Sequence, residues 1–180
     1  MKVLVVVDMQ QDFINGALGT KEAVSIVPAV RRKIEGFDGM VLFTKDTHHK
    51  DYLQTQEGRN LPVIHCVKGS EGHELEPSLA EYARQAAEEK QIQFFEKPGF
   101  GSKELAQFLE ELSERESLEQ IELVGLCTDI CVISNAMLLK TFLPEVPVIV
   151  DSACCAGVTP QSHMQALEAM KMCQIQVISS

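Results

Sequence analysis

Two cysteines and an aspartate interrupt an otherwise apolar part of the chain, in the run Cys-Thr-Asp-Ile-Cys at residues 127–131. An apolar segment that predicts a buried strand precedes them, and a helical pattern follows from about Asp129. Cys131 would then lie in the first helical turn, where backbone N–H groups and the helix dipole stabilise an anion. Cys127 lies before the helix, and its sulfur lacks that stabilisation. Cys131 is therefore the predicted nucleophile, with a packed structural cysteine as the alternative.

A carboxylate and an ammonium group follow two other apolar segments. Asp8 comes directly after residues 3–7, and Lys97 comes directly after residues 91–96. Asp8 could accept the thiol proton of Cys131, and Lys97 could stabilise both partners electrostatically. A turn aspartate and an exposed loop lysine are the ordinary alternatives. The shared position of these residues at strand ends, rather than any single identity, favours a catalytic group.

Short apolar segments alternate with helical patterns along the whole chain, which indicates a parallel sheet covered by helices on both faces. The predicted strands are residues 3–7, 40–43, 91–96, 121–126, 146–150 and 175–178. In open α/β sheets, ligands bind beyond the carboxyl ends of the strands. The residues to inspect there are Asp8, Asp46, His48, Glu96, Lys97, residues 127–131 and Asp151.

The composition limits the class of protein and its partners. We expect the 180 residues to form one domain, 1–180, because that length supports a single hydrophobic core. A net charge of −10 without a basic stripe argues against nucleic acid and anionic membrane surfaces as partners. No apolar run approaches the roughly 20 residues of a membrane span. Six cysteines without a secretory signal predict reduced thiols and a cytoplasmic location.

Residues 44–76 are polar and largely without periodicity, and a segment of that kind is often functional. Two imidazoles and two carboxylates in it form a set that suits Zn²⁺ or another first-row divalent ion. These predicted ligands are Asp46, His48, Glu57 and His65. His49 is the alternative to Glu57, and a polar loop that binds no metal is the alternative to the whole site.

Three ordered segments, VVVDMQQDF, FEKPGFG and GLCTDICV, resemble the isochorismatase-like cysteine hydrolases and, within them, the nicotinamidase/pyrazinamidase group. The resemblance implies a three-layer, doubly wound sheet of six parallel strands in the order 3-2-1-4-5-6. It implies a catalytic triad of Asp8, Lys97 and Cys131. It also implies a cis peptide between Leu126 and Cys127, and an oxyanion hole from the backbone N–H groups of Cys127 and Cys131.

The same resemblance implies a metal site in which an Asp-x-His pair is completed by a third group and a distant histidine, with zinc as the expected ion. One departure concerns the substrate ring. Many nicotinamidases place a tryptophan just before the metal histidine, whereas this chain contains no tryptophan and reads Leu-Pro-Val-Ile-His at residues 61–65. Phe13 and Phe100 remain as the expected apolar walls of the substrate site.

The expected reaction is the hydrolysis of nicotinamide to nicotinate and ammonia through a thioester on Cys131, without an organic cofactor. The resemblance also implies a homodimer or homotetramer acting on a small-molecule amide. One alternative is a metal-independent cysteine amidase or carbamoyl hydrolase acting on a non-pyridine amide. A noncatalytic binding or regulatory domain on the same fold is the alternative from another class.

Overall fold

The computed structural model describes residues 1–87 and 92–180, and the strands in those residues form one parallel sheet. Six strands lie in the order β3-β2-β1-β4-β5-β6, which confirms the expected topology. The strands are β1 (Lys2–Val7), β2 (Met40–Asp46), β3 (Gln93–Lys97), β4 (Gln120–Leu126), β5 (Val148–Ala156) and β6 (Gln176–Ile178). Of the predicted third strand, Gln91 lies outside the described residues.

Helices cover both faces of the sheet, as the alternation of patterns predicted. The helices α5, α6 and α7 pack on one face, and α1, α2 and α4 pack on the other. The helices are α1 (Gln11–Ile14), α2 (Lys21–Gly36), α3 (Gln56–Asn60), α4 (Pro77–Gln85), α5 (Lys103–Ser113), α6 (Ile133–Phe142) and α7 (Pro160–Met172). No helix among residues 1–87 and 92–180 is long and apolar enough to cross a membrane.

The central strand β1 shows why the strand segments are continuously apolar. Successive side chains of a strand point to opposite faces. Val3 and Val5 accordingly pack in the cluster with α5 to α7, and Leu4 and Val6 pack in the cluster with α2. All four are completely buried. Burying one such side chain stabilises the fold by about 1.5–3 kcal/mol, so the two faces together fix the position of the strand end that carries the site.

The predicted end of the fifth strand was wrong, because β5 continues to Ala156. Its pairing with β4 is irregular: Leu123 lies opposite Val150, but Gly125 lies opposite Cys155. Asp151 therefore lies within the strand and not at the carboxyl edge of the sheet. Its buried carboxylate is 2.7 Å from Lys33 Nζ of α2, so it belongs to an ion pair in the fold.

The polar segment after β2 folds into short helices and turns. A 3₁₀ turn at Tyr52–Gln54 precedes α3, and a second follows at Glu71–His73. His48 N–H donates to Cys66 O at 2.9 Å, which holds the start of the segment beside residues 65–66. The segment therefore returns to the sheet edge at His65 and brings its polar side chains to the end of β2.

Candidate active site

Asp8 follows β1 at the carboxyl edge of the sheet and is completely buried. Its φ angle of 46° is uncommon for a residue other than glycine. The Thr44 hydroxyl donates to Asp8 Oδ1 at 2.6 Å, and Asp8 N–H donates to Thr44 O at 3.2 Å. These bonds to β2 hold the carboxylate at the strand end with its Oδ2 atom available to another partner.

Lys97 is the last residue of β3, and its side chain is also completely buried. Its Nζ atom is 2.7 Å from Asp8 Oδ2 and donates to Cys131 Sγ at 3.3 Å. It also donates to Gly99 O at 2.9 Å. The structure thus brings together the three residues predicted as a triad, which come from three separate parts of the chain.

Cys131 lies in a π-helical turn, Thr128–Val132, that joins β4 to α6. The peptide bond before this turn, Leu126–Cys127, is cis, as the resemblance implied. Asn135 of α6 donates to Cys131 O at 2.8 Å and to Phe100 O at 3.2 Å. This amide therefore ties the turn that carries Cys131 to the loop that follows Lys97.

The pKa of the Cys131 thiol depends on its burial and on its charged neighbours. Burial raises the pKa of this thiol well above its ordinary value, and the negative charge of Asp8 adds to the rise, although Lys97 opposes it. Burial also raises the pKa of Asp8, against the opposing charge of Lys97. Burial alone would lower the pKa of Lys97, but Asp8 and Cys131 raise it. These directions favour a protonated thiol and a protonated lysine beside a carboxylate of increased basicity.

The four predicted metal ligands converge beside this group. One ligand atom from each of them lies within 4.8 Å of the others, in the set Asp46, His48, Glu57 and His65. Asp46 is the last residue of β2, and its Oδ1 atom is 3.5 Å from Lys97 Nζ, so the two groups of residues adjoin. His49, the alternative to Glu57, is exposed and outside the set.

The donor set fits a divalent cation. His48 Nε2 is buried and has no hydrogen-bond partner among the described residues, although Asp46 Oδ2 is only 2.9 Å away. The imidazole nitrogen and the carboxylate oxygen are both atoms that can ligate one cation. His65 Nδ1 is 2.7 Å from Val63 O, and that contact turns the Nε2 atom of His65 toward Asp46. Nitrogen and carboxylate ligands of this kind suit Zn²⁺.

The sequence reasoning missed a group of residues that position the predicted ones. Gln10 is completely buried; its Nε2 atom donates to Asp46 O at 2.8 Å, and its Oε1 atom accepts from Asp46 N at 2.7 Å. The ring of Tyr52 packs against both histidines, with its centroid 4.5 Å from the ring centroid of His48 and 4.9 Å from that of His65. The available signal was the position of Gln10 two residues after Asp8. Tyr52 gave no such signal.

A cavity of about 310 Å³ opens onto both groups of residues. Cys131, Asp46, Glu57 and His65 contribute to its wall. The two predicted apolar walls, Phe13 and Phe100, line it as well; Phe13 is buried, and Phe100 is half exposed at the rim. Leu61, which belongs to the segment 61–65 that contains no tryptophan, also lies in the wall.

Comparisons with known proteins identify the family of this chain. The family model for the isochorismatase domain matches residues 2–180. The chain belongs to the isochorismatase family. One curated relative is the nicotinamidase/pyrazinamidase of Mycobacterium tuberculosis, which is 28% identical over 187 residues and is aligned over 100% of both chains.

Solved structures share the isochorismatase-family fold over nearly the whole chain. The nicotinamidase/pyrazinamidase of Bacillus subtilis is 28% identical, with a TM-score of 0.81 and 99% of both chains covered. A pyrazinamidase of Pyrococcus horikoshii, solved in complex with zinc, is 24% identical, with a TM-score of 0.77 and 99% of both chains covered. At that identity the second likeness supports the fold alone.

Proposed function

We propose that this isochorismatase-family protein is an amidohydrolase that converts a heteroaromatic carboxamide, with nicotinamide as the first choice, to the carboxylate and ammonia. One observation carries the proposal: Lys97 Nζ lies 2.7 Å from Asp8 and 3.3 Å from Cys131, beside a cavity that the thiol lines. The names of the relatives, nicotinamidase and pyrazinamidase, support the same chemistry and the choice of substrate.

The first step is the attack of Cys131 on the amide carbonyl carbon. Because burial raises the pKa of the thiol, a free thiolate is scarce, and Asp8 must accept the proton as the C–S bond forms. The carbonyl electron pair moves to oxygen, where the N–H groups of Cys127 and Cys131 donate to the oxyanion. Lys97 stays protonated throughout, because its raised pKa prevents proton loss at neutral pH.

The second half of the reaction restores the thiol. Asp8 returns its proton to the amide nitrogen, the C–N bond breaks, and ammonia leaves a thioester on Cys131. Asp8 then takes a proton from water as the water oxygen attacks the thioester carbon. The C–S bond breaks, the sulfur recovers the proton held by Asp8, and the product leaves as the carboxylic acid, which loses its remaining proton to solvent to give the carboxylate. Each proton removed is thus returned, and no organic cofactor is required.

The residues Asp46, His48, Glu57 and His65 would hold a divalent cation, zinc being the ion that suits them best. A bound cation would act as a Lewis acid toward a substrate heteroatom and so orient the ring. Phe13 and Phe100 would contact the ring faces from the cavity wall.

We further propose that residues 1–180 form one domain, since both apolar clusters share the same sheet. Cytoplasmic location and homo-oligomeric assembly stay predictions.

The test is ammonia release from nicotinamide and pyrazinamide by the wild type, Cys131→Ala and Cys127→Ala. We expect Cys131→Ala to lose about 10³-fold or more in kcat, because no other group forms the thioester. Cys127→Ala should keep most of the activity, since only its backbone N–H takes part. Equal loss in both variants would overturn the separate roles of the two cysteines. Turnover of neither amide by the wild type would refute the proposed function.

A further inference from the structure

The cavity extends along the edge of the sheet beyond the group that would react. Its wall includes Asp46 at the end of β2, Cys131 after β4 and Val158 after β5. In the sheet order, β1 and β4 lie between β2 and β5. With neighbouring strands about 4.8 Å apart, the distance from β2 to β5 is about 14 Å. The cavity therefore continues past Cys131, on the side away from the cation ligands.

We call this continuation the distal lobe and define it by residues contributed by α2, the chain before it, β4 and the loops after β4 and β5. These residues are Leu18, Ala23, Leu126, Ile130 and Val158. Ala23 and Leu126 belong to the apolar cluster under α2, and Leu18 packs against it. This part of the distal lobe is thus continuous with the hydrophobic core, whereas Val158, in the wall after β5, is 51% exposed.

Polar groups are scarce in the distal lobe. The Thr20 hydroxyl lines the cavity but accepts a hydrogen bond from Ala23 N–H at 3.0 Å, because Thr20 caps α2. The charged and imidazole residues in the cavity wall, Asp46, Glu57 and His65, all belong to the cation-ligand set. Among the described residues that line the cavity there is no lysine or arginine. A carboxylate placed here would lose its hydration without gaining a partner.

The cavity is also large for a bare pyridine carboxamide. Its volume of about 310 Å³ reaches the lower end of the about 300–1,000 Å³ typical of pockets that bury drug-sized ligands. A pyridine carboxamide that contacts Cys131 and the cation-ligand set leaves the distal lobe unfilled.

We propose, on the basis of the amidohydrolase function above, that the distal lobe binds an apolar substituent of the substrate. The preferred substrates are then neutral heteroaromatic carboxamides with a short alkyl or aryl group. Amides that carry a carboxylate, such as carbamoyl amino acids, are rejected. This substrate class separates the protein from a carbamoyl hydrolase on the same fold.

The test compares kcat/KM for nicotinamide with that for methyl, ethyl and propyl derivatives at the 5- and 6-positions of the ring. Each buried methylene is expected to raise kcat/KM about fourfold, so the ethyl compound of one series should exceed nicotinamide about fifteenfold. A carboxymethyl derivative at the same position should fall below nicotinamide. Calorimetric binding of the same compounds to Cys131→Ala provides a readout that does not depend on turnover.

Val158→Phe adds bulk at the wall of the distal lobe, and we expect it to reduce the ratio of ethyl-compound to nicotinamide kcat/KM at least tenfold. Val24→Phe is the matched control, because Val24 lies next to Ala23 on α2 but is half exposed and outside the cavity wall. It should leave the ratio unchanged. If nicotinamide is hydrolysed and neither alkyl series gains, the distal-lobe proposal is overturned and the function stands. If the wild type hydrolyses no amide, both proposals fall.

Discussion

Because Lys97 and Asp8 form a buried ion pair, we expect removal of one partner to lower the stability of the fold, whether or not a substrate is present. Both side chains are completely buried, and Lys97 Nζ lies 2.7 Å from Asp8 Oδ2. Replacing Lys97 with Met removes the cation but leaves the Asp8 carboxylate in the core. Removal of one partner from a buried pair costs about 3–5 kcal/mol. For a chain of this size each kcal/mol lowers Tm by about 2–4 °C, so the expected fall is roughly 6–20 °C.

The partner variant Asp8→Asn should cost less. Lys97 retains Gly99 O at 2.9 Å and Asp46 Oδ1 at 3.5 Å, so its charge keeps two favourable contacts. The double variant removes both charges, and we expect it to be more stable than Lys97→Met alone. Lys103→Met, at an exposed position of α5, is the matched control and should leave Tm within about 1 °C.

The assay is a double-mutant cycle by urea unfolding and differential scanning calorimetry of the four proteins. A coupling free energy of about 2 kcal/mol or more between positions 8 and 97 is expected for a contacting charged pair. If the two single-variant losses simply add in the double variant, the ion pair does not have the energetic role assigned to it. The same result would mean that Lys97 does not oppose the rise in the Asp8 pKa that burial causes.

Two further predictions concern the ligands and the fold. Gln10→Leu removes both hydrogen bonds that orient Asp46, so we expect a 10–100-fold loss of zinc affinity. Competition with a chelating dye measures the zinc affinity. The control is Gln107→Leu, at an exposed position of α5, which should bind zinc as tightly as the wild type does. Unchanged zinc affinity in Gln10→Leu would exclude this positioning role. Burial acts to raise the pKa of Asp151, but Lys33 lowers it below its ordinary value. The Asp151 carboxylate therefore stabilises the fold at pH values above its ordinary pKa, and this contribution is lost as the pH falls through the lowered pKa. Asp151→Asn should therefore flatten the acid limb of unfolding free energy against pH, and an unchanged limb would contradict the pairing.

The central strands of the sheet could be predicted from sequence because they are buried on both faces. Val3 and Leu4 lie on opposite faces and are both completely buried, so β1 is a continuous apolar segment in the sequence. The strand β5 was predicted too short, since Asp151 and Ser152 end its apolar segment. The balancing charge comes from Lys33, more than a hundred residues earlier, and local composition does not reveal it.

Part of the candidate site could also be predicted from the order of strands and helices in the sequence. Asp8 and Lys97 were found because carboxyl ends of parallel strands share one edge. Gln10 and Asn135 were missed because their bonds join residues far apart in the chain. The direction of the Cys131 pKa also depends on three-dimensional burial, which the position of a residue in a helix does not indicate.

The most direct test of the proposed chemistry is the mass of the protein during turnover. Acid quenching within milliseconds of mixing with nicotinamide, followed by peptide mapping, should reveal a nicotinoyl group on Cys131 and on no other cysteine. The group should disappear as substrate is consumed, and it should be absent from Cys131→Ala. Turnover with no acyl group on Cys131, or with the group on Cys127, would contradict the assignment of Cys131 as the nucleophile.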